Sequence, residues 1–164
     1  MATEYSKGLI FKSNNNGTCD LIDIGTCRDT KVIIPNKSPE GDIVVKIGEW
    51  AFDNDNAHNI TEVVLPDGVQ TISIGAFYKC VNLSNINIPN TVRYIGYAAF
   101  KKCTSLKQLH IPKSVNGIGG YAFSECINIK SIVIEEGAIS IDTTAFYNCF
   151  ANISPFCALS FISS

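Results

Sequence analysis

The chain has 164 residues, of which 46% are hydrophobic and 17% are charged, so its composition is that of a globular protein and not of a disordered or fibrous one. A chain of this length can bury a core without disulfides or metals, and we expect one domain. Its 13 Lys and Arg against 15 Asp and Glu give a formal net charge of −2, which argues against nucleic acid or an anionic membrane surface as a partner.

Residues 1–30 carry no copy of the repeat described below and are predicted to form an N-terminal cap. Residues 18–24 roughly alternate polar and apolar side chains between an Asn-Asn-Asn-Gly turn at 14–17 and Gly25, which indicates a β-hairpin. The N-terminus lacks the features of a secretory signal, and no stretch approaches the ~18 apolar residues of a membrane-spanning helix. We therefore expect no membrane insertion, and the localisation stays open.

A repeat with a period of 23 residues fills residues 31–151. The motif Ala-Phe-x-x-Cys occurs four times with this period, and apolar residues recur in step with it. An irregular unit comes first, and four full units follow at 60–82, 83–105, 106–128 and 129–151. A unit this short cannot bury its apolar side chains alone, whereas stacked units can. The sequence therefore predicts an α/β solenoid of five repeats.

Each unit is predicted to contain short parallel strands and a short helical turn. The segment Leu-x-x-Ile-x-Ile-Pro alternates and ends at a proline, as a short strand does, and Val-x-x-Ile is a second brief extended piece. Ala, Phe and Cys at spacings of one and three suit a helical turn with one buried face. Stacking places equivalent residues in structural ladders, which are Phe77, Phe100, Phe123 and Phe146, and Cys80, Cys103, Cys126 and Cys149.

The unit Leu-x-x-Ile-x-Ile-Pro-x-x-Val-x-x-Ile-Gly-x-x-Ala-Phe-x-x-Cys resembles the BspA-type leucine-rich repeat over residues 31–151. The resemblance implies a right-handed leucine-rich-repeat solenoid without enzymatic activity of its own. It also implies an adhesin-like protein, secreted or at the cell surface, that binds matrix proteins or other cells. The chain departs from the pattern at Glu135, which replaces the proline, and at Ala138.

Alternation within the strands also predicts which side chains face outward. They form two ladders on the sheet face, namely Glu62, Val64, Asn85, Asn87, Gln108, His110, Ser131 and Val133. Arg93, Tyr94 and Tyr97 border these ladders and belong to the residue types enriched at interface hot spots. We expect this surface either to bind a protein or glycan or merely to keep the sheet solvated.

The seven cysteines do not indicate a metal site. The four in the ladder are expected to be reduced, buried and to act as small hydrophobic side chains. Cys19 and Cys27 lie outside the repeat, and they are either two core thiols or a disulfide across the hairpin. Cys157 is left without a partner. No Cys-x-x-Cys or Cys-x-x-His spacing is present, so we expect neither metal nor cofactor.

Catalytic motifs are weak in this sequence. A Cys103–His110 nucleophile–base pair would require Cys103 to leave its ladder. The glycine-rich segment 117–120 fails the spacing of a phosphate-binding loop. Glu135 and Glu136 fit a solvated turn better than a calcium site. We therefore expect no enzyme activity.

Residues 152–164 are predicted to be a degenerate cap or a partial repeat, and they are rich in apolar side chains. They fold over the last coil as a lid, mediate self-association through residues 150–164, or form the edge of a longer array. The sequence as a whole predicts a non-enzymatic module that binds a protein or glycan. The alternative is a structural or assembly subunit whose solenoid ends make the contacts.

Overall fold

The structure, a computed structural model, describes residues 5–135 and 140–149 and the backbone of residues 159–162. Its regular structure consists almost wholly of strands two to six residues long. In chain order, the strands are β1 (Ile10–Ser13), β2 (Thr18–Asp23), β3 (Lys31–Ile33), β4 (Ile43–Ile47), β5 (Glu62–Val64), β6 (Thr71–Ile72), β7 (Asn85–Ile86), β8 (Tyr94–Ile95), β9 (Gln108–Ile111), β10 (Gly117–Ile118), β11 (Ser131–Glu135), β12 (Ser140–Ile141) and β13 (Leu159–Ile162).

Each coil of the chain contributes strands to two stacks. The first stack is a seven-stranded sheet of order β1-β2-β4-β6-β8-β10-β12, and the second is divided into two three-stranded parallel sheets, β3-β5-β7 and β9-β11-β13. Equivalent residues lie level in neighbouring coils, as Ile72, Ile95, Ile118 and Ile141 do. The chain is therefore a β-solenoid of about five coils, as the 23-residue period predicts.

The N-terminal segment begins the seven-stranded sheet with a hairpin. β1 pairs antiparallel with β2, and the Asn14 N–H closes the turn on the Thr18 carbonyl at 2.9 Å. β2 then pairs in parallel with β4 of the first coil. The first coil therefore has a covered strand edge, and β1 is the outermost strand of the sheet at its N-terminal end.

The Ala-Phe segments form hydrogen-bonded turns, and the short helical turns predicted from the sequence are not present. The Tyr78 N–H donates to the Gly75 carbonyl three residues back, at 2.9 Å, whereas the Phe77 N–H donates to the Ala99 carbonyl of the next coil, at 2.7 Å. A helix would require each N–H to find its acceptor within its own segment. In the described part of the chain, the only helix is a 3₁₀ helix over Asp55–Asn59.

Left-handed backbone conformations shape these turns. They occur mainly at the residue before Ala and the residue before Cys of the repeat, and most are not glycine. The non-glycine examples are Trp50, Lys79, Ala98, Lys102, Tyr121, Glu125 and Asn148, with φ between 52° and 65°. An L side chain costs about 1–2 kcal/mol in this conformation, so the contacts between coils must hold these residues in place.

One continuous core runs through the coils. The rings of Phe77, Phe100 and Phe123 are stacked with centroids 5.0 Å apart, and their planes lie within 11° and 3° of one another. Phe146 continues the row 5.3 Å from Phe123 but is only partly buried. Because each ring is covered by its neighbours in the adjacent coils, no coil buries its phenylalanine without the next one.

The left-handed conformation of Lys102 yields a prediction about stability. At this φ of 65°, Lys102→Gly removes the Cβ clash that Lys102→Ala retains, so we expect the glycine variant to be more stable by about 1 kcal/mol. Urea unfolding followed by circular dichroism measures the difference. The same pair of substitutions at the neighbouring Lys101, which is not left-handed, should show the usual order with alanine more stable by about 0.5–1 kcal/mol. Equal stability of the two Lys102 variants would contradict the argument.

Candidate functional site

The side chains predicted to form outward ladders lie on the second stack, on β5, β7, β9 and β11 or directly after β7. Asn85, Asn87, Gln108 and His110 are exposed, whereas the remaining members, Glu62, Val64, Ser131 and Val133, are half-buried. No backbone pairing joins β7 to β9 in the described part of the chain, so the sheet is interrupted in the middle of the ladders. The structure does not bring these residues into one continuous sheet face.

Asn87 is occupied by the fold itself. Its Oδ1 accepts a hydrogen bond from the Leu65 N–H at 2.8 Å, and its Nδ2 donates to the Leu65 carbonyl at 3.1 Å. The side-chain amide therefore takes the place of a backbone partner for the preceding coil. A ligand could use this amide only by breaking both bonds, so Asn87 is a structural residue.

Other polar groups of the ladders are also used between coils. Glu62 forms an ion pair with Lys31 at 3.0 Å. His110 Nε2 lies 2.9 Å from Glu135 Oε1, and Glu135 Oε2 accepts a hydrogen bond from the Lys113 N–H at 3.0 Å. The Lys113 N–H, together with the His110 side chain, lowers the pKa of the Glu135 carboxyl below its ordinary value of 4.5. Glu135, which replaces the proline of the repeat, thus clamps its coil to the preceding one.

Tyr94 and Tyr97 lie on the other stack, at and after β8 of the seven-stranded sheet. They therefore do not share a sheet with Asn85 and Gln108, although the sequence suggested a shared border. Arg93 bridges two coils, because its Nη1 donates to the Asn90 carbonyl at 3.2 Å and to the Ser114 carbonyl at 3.5 Å.

Six aromatic side chains of the seven-stranded sheet and its turns form what we call the aromatic row, consisting of the exposed Trp50, Tyr94, Tyr97 and Tyr147 and the half-buried Tyr78 and Tyr121. Three edge-to-face pairs occur within the row, with Trp50 and Tyr78 centroids 5.5 Å apart, Tyr97 and Tyr121 5.8 Å, and Tyr121 and Tyr147 6.0 Å. The exposed fraction reaches 51% for Tyr97 and 63% for Tyr147. Tyrosine and tryptophan are the residue types enriched in the cores of protein interfaces.

Sequence reasoning found only Tyr94 and Tyr97 of this row. The missed residues share one signal, because each lies directly before or after an Ala-Phe pair of the repeat: Trp50, Tyr78, Tyr121 and Tyr147. Assigning those segments to helical turns hid the signal. In the turns, the alanines are buried, whereas the flanking Trp50, Tyr78, Tyr121 and Tyr147 are partly or fully exposed.

A cavity of about 510 Å³ lies beside the N-terminal hairpin and is lined by Lys7, Arg28 and Lys31 among others. Its cations have partners within the chain, as Arg28 does in donating to the Asn56 side chain and Lys31 does in pairing with Glu62. This cavity is therefore a weaker candidate for ligand binding than the aromatic row.

The ladder cysteines are buried free thiols that also make hydrogen bonds. Cys103 Sγ donates to the Phe77 carbonyl of the preceding coil at 3.0 Å, and Cys126 Sγ donates to the Phe100 carbonyl at 3.1 Å. The Cys103 N–H donates to the Phe100 carbonyl within its own coil at 3.1 Å. The Phe100 carbonyl therefore accepts hydrogen bonds from two coils. The ladder cysteines thus link neighbouring coils in addition to acting as the small hydrophobic side chains that the sequence predicts.

Burial raises the pKa of these thiols. The pKa rises to about 12 for Cys80 and to about 11 for Cys149, and it is raised well above 9.0 for Cys103. The side chain of Cys103 is fully buried, while His110 contacts Glu135. Cys103 and His110 therefore do not form a nucleophile–base pair.

Cys19 and Cys27 are both buried and free, so the structure contains no disulfide across the hairpin. Cys19 Sγ donates instead to the Asp42 carbonyl at 3.5 Å. Cys157 lies outside the described residues. Within the residues that the structure does describe, no group of three or more His, Cys, Asp or Glu side chains could hold a metal ion. Over the same ranges, no helix has the length and apolar character needed to cross a membrane.

The apolar C-terminal segment is described only in part. The backbone of β13 adds a parallel strand to β11, with Ile132 level with Leu159 and Glu135 level with Ile162. Residues 150–158, 163 and 164 lie outside the described part of the chain, as do all side chains of β13. The three predictions for this segment, that it forms a lid, mediates self-association or belongs to a longer array, therefore stay predictions.

Comparison with sequence families identifies the repeat. The model of the BspA type leucine rich repeat region matches residues 26–153 in six copies. No curated protein is similar to the chain in sequence.

Solved structures share the fold. A leucine-rich repeat protein from Bacteroides capillosus is 28% identical, with a TM-score of 0.65 over 77% of this chain and 94% of that one. A leucine rich cell surface protein from Faecalibacterium prausnitzii is 25% identical, with a TM-score of 0.64 over 90% of this chain, which spans 52% of that protein. The leucine rich repeat protein of T. pallidum, 22% identical with a TM-score of 0.64 over 85% of this chain and 81% of that one, shows the fold alone.

The buried thiols should be unreactive in the native protein. With a pKa of about 11, the Cys149 thiol is ionised to roughly one part in a thousand at about pH 8, and burial also blocks access. We expect iodoacetamide to alkylate Cys80, Cys103, Cys126 and Cys149 only after unfolding in urea, as measured by mass spectrometry of peptides. Alkylation of Cys103 in the native protein as fast as in the unfolded protein would contradict its burial in the ladder.

The Glu135 clamp should make stability depend on pH. Its lowered pKa means that the folded state favours the carboxylate, so this contribution is present above pH 4.5 and is lost as the pH falls through the lowered value. We expect Glu135→Gln to be less stable than wild type near neutral pH, with the difference in urea midpoint closing in acid. Glu40→Gln, at an exposed position, is the matched control and should show no such change. A difference in urea midpoint between wild type and Glu135→Gln that persists in acid would show that the negative charge of Glu135 does not contribute to stability.

Proposed function

The chain belongs to the family of proteins with the BspA-type leucine-rich repeat, and we propose that it acts within that family as a non-enzymatic recognition module. In this proposal the solenoid presents a rigid surface to a protein or glycan partner, in the manner of an adhesin at a cell surface. The similarity to a leucine rich cell surface protein of Faecalibacterium prausnitzii supports that setting.

The aromatic row is the observation that carries the proposal. Trp50, Tyr94, Tyr97 and Tyr147 each expose 42% or more of their surface, although burial would be the favourable state for such rings. The coils hold the rings on short strands and hydrogen-bonded turns, so binding orders little that is not already ordered. Lys101 lies over the Tyr121 ring at 5.2 Å and adds a cation to the same surface.

The outward ladders support recognition less well than the sequence suggested. Asn87 and Glu62 are engaged between coils, and β7 and β9 are not paired within the described residues. Asn85 and Gln108 have exposed side chains and remain a secondary candidate surface.

A second candidate function is assembly through the solenoid end. In the described part of the chain, β13 is the edge strand of its sheet. An edge strand can pair with a second copy, and this is the observation that favours an assembly subunit.

A binding experiment separates these proposals. Immobilised matrix proteins and neutral oligosaccharides are presented to wild type, to the double variant Tyr97→Ser and Tyr147→Ser, and to the double variant Asn85→Ala and Gln108→Ala. We expect the tyrosine variant to lose about tenfold or more in affinity by biolayer interferometry, because truncated aromatic anchors have hot-spot costs. We expect the second variant to bind as wild type does.

Two outcomes would contradict the recognition proposal. Binding that survives both tyrosine substitutions would remove the aromatic row as the site. No binding to any probe, together with a mass in light scattering that rises with concentration, would favour the assembly function instead.

A further inference from the structure

The seven-stranded sheet has a depression where one coil lacks outward side chains. In that coil, half-buried glycines stand at positions 117, 119 and 120, while the preceding coil carries Tyr94 and Tyr97 at the positions of Gly117 and Gly120. The cavity has a volume of about 370 Å³, and Ser140 and Asp142 of the following coil line its other side. This volume lies within the range of about 300–1,000 Å³ that is typical of small-ligand sites.

One wall of the depression is aromatic. Tyr94 and Tyr97 expose 47% and 51% of their surface, and the Tyr121 ring holds Tyr97 in an edge-to-face pair. Gly117 leaves room for this arrangement, because a Cβ at that position would lie 3.0 Å from Tyr94 Cδ2 and the ring would have to shift. The missing side chain thus lets a tyrosine ring extend over the floor.

The opposite wall is a fixed hydrogen-bond acceptor. Asp142 Oδ1 accepts from the Thr144 hydroxyl at 2.6 Å and from the Thr144 N–H at 2.8 Å, and these bonds lower the pKa of Asp142. The Thr144 hydroxyl in turn accepts from the Tyr121 N–H at 3.3 Å. Asp142 Oδ2 makes no hydrogen bond to any described residue, so it can accept one from a ligand.

The two walls suit a saccharide. A pyranose ring has an apolar face of C–H groups, which packs on aromatic rings, and hydroxyl groups at its edge, which donate to a carboxylate. Among the described residues, no lysine or arginine lines the depression, so nothing there favours an anionic sugar. We propose that this depression binds a neutral glycan, with one sugar ring against Tyr94 and Tyr97 and a hydroxyl donated to Asp142. The inference rests on the proposed recognition function and names its ligand class.

The experiment uses an array of neutral hexose and N-acetylhexosamine oligosaccharides, with sialylated and sulfated ones for contrast. The methyl glycoside of the best-bound terminal sugar is then titrated and followed by saturation-transfer NMR. We expect two variants to weaken binding about tenfold or more each. Asp142→Asn replaces the free acceptor by a donor. Gly117→Thr fills the floor with the residue found at the equivalent position 71. Tyr5→Ala and Asp67→Asn change an exposed tyrosine and an exposed aspartate outside the depression and should bind as wild type does.

Retained sugar binding in Asp142→Asn and Gly117→Thr, or a preference for sialylated or sulfated glycans, would overturn the inference. Matrix-protein binding that depends on Tyr97 and Tyr147, together with no binding of any neutral glycan by wild type, would also overturn it while leaving the recognition function intact. Failure of wild type to bind any protein or glycan would overturn both. Circular dichroism of each variant establishes that it has the wild-type fold.

Discussion

The hydrogen bonds between successive coils are the constraint on which this structure depends. In each turn, part of the backbone finds its acceptor three residues away and part finds it in the next coil, as Tyr78 and Phe77 do. A single coil removed from the stack would leave N–H groups unpaired and one face of a phenylalanine ring bare. Stability is therefore a property of neighbouring pairs of coils, and the hairpin of β1 and β2 completes the first pair.

The fold could be predicted wherever the same residue returns at the same place in every coil. Phe100 and Cys103 recur every 23 residues, so their burial follows from the period alone. The conformation of the turn could not be predicted in this way, because a spacing of one and three fits both a helix and a turn. What decides between them is the acceptor of the Phe100 N–H, which is the Ala122 carbonyl of another coil.

The candidate site was predictable only in part, for a related reason. Alternation in a strand tells whether a side chain faces outward, but not whether it finds a partner there, and Asn87 finds the backbone of Leu65. The aromatic row runs obliquely across the coils, since Tyr97 and Tyr121 are 24 residues apart and break the period. A surface built from non-equivalent positions does not follow from the repeat pattern, although four of its residues lie beside an Ala-Phe pair.

Because the thiols of the ladder are buried only in the folded protein, their exposure to oxidation depends on how fast the chain folds. Cysteines such as Cys103 are chemically silent only because the next coil covers them, and in the unfolded chain all seven have the ordinary reactivity of a thiol. In an oxidising compartment, folding therefore competes with disulfide formation between wrong partners. Adjacent coils pair residues that are 23 positions apart, so a ladder thiol is covered only after the neighbouring coil has formed. The ladder thiols are therefore open to oxidation until neighbouring coils have stacked, and burial protects them afterwards.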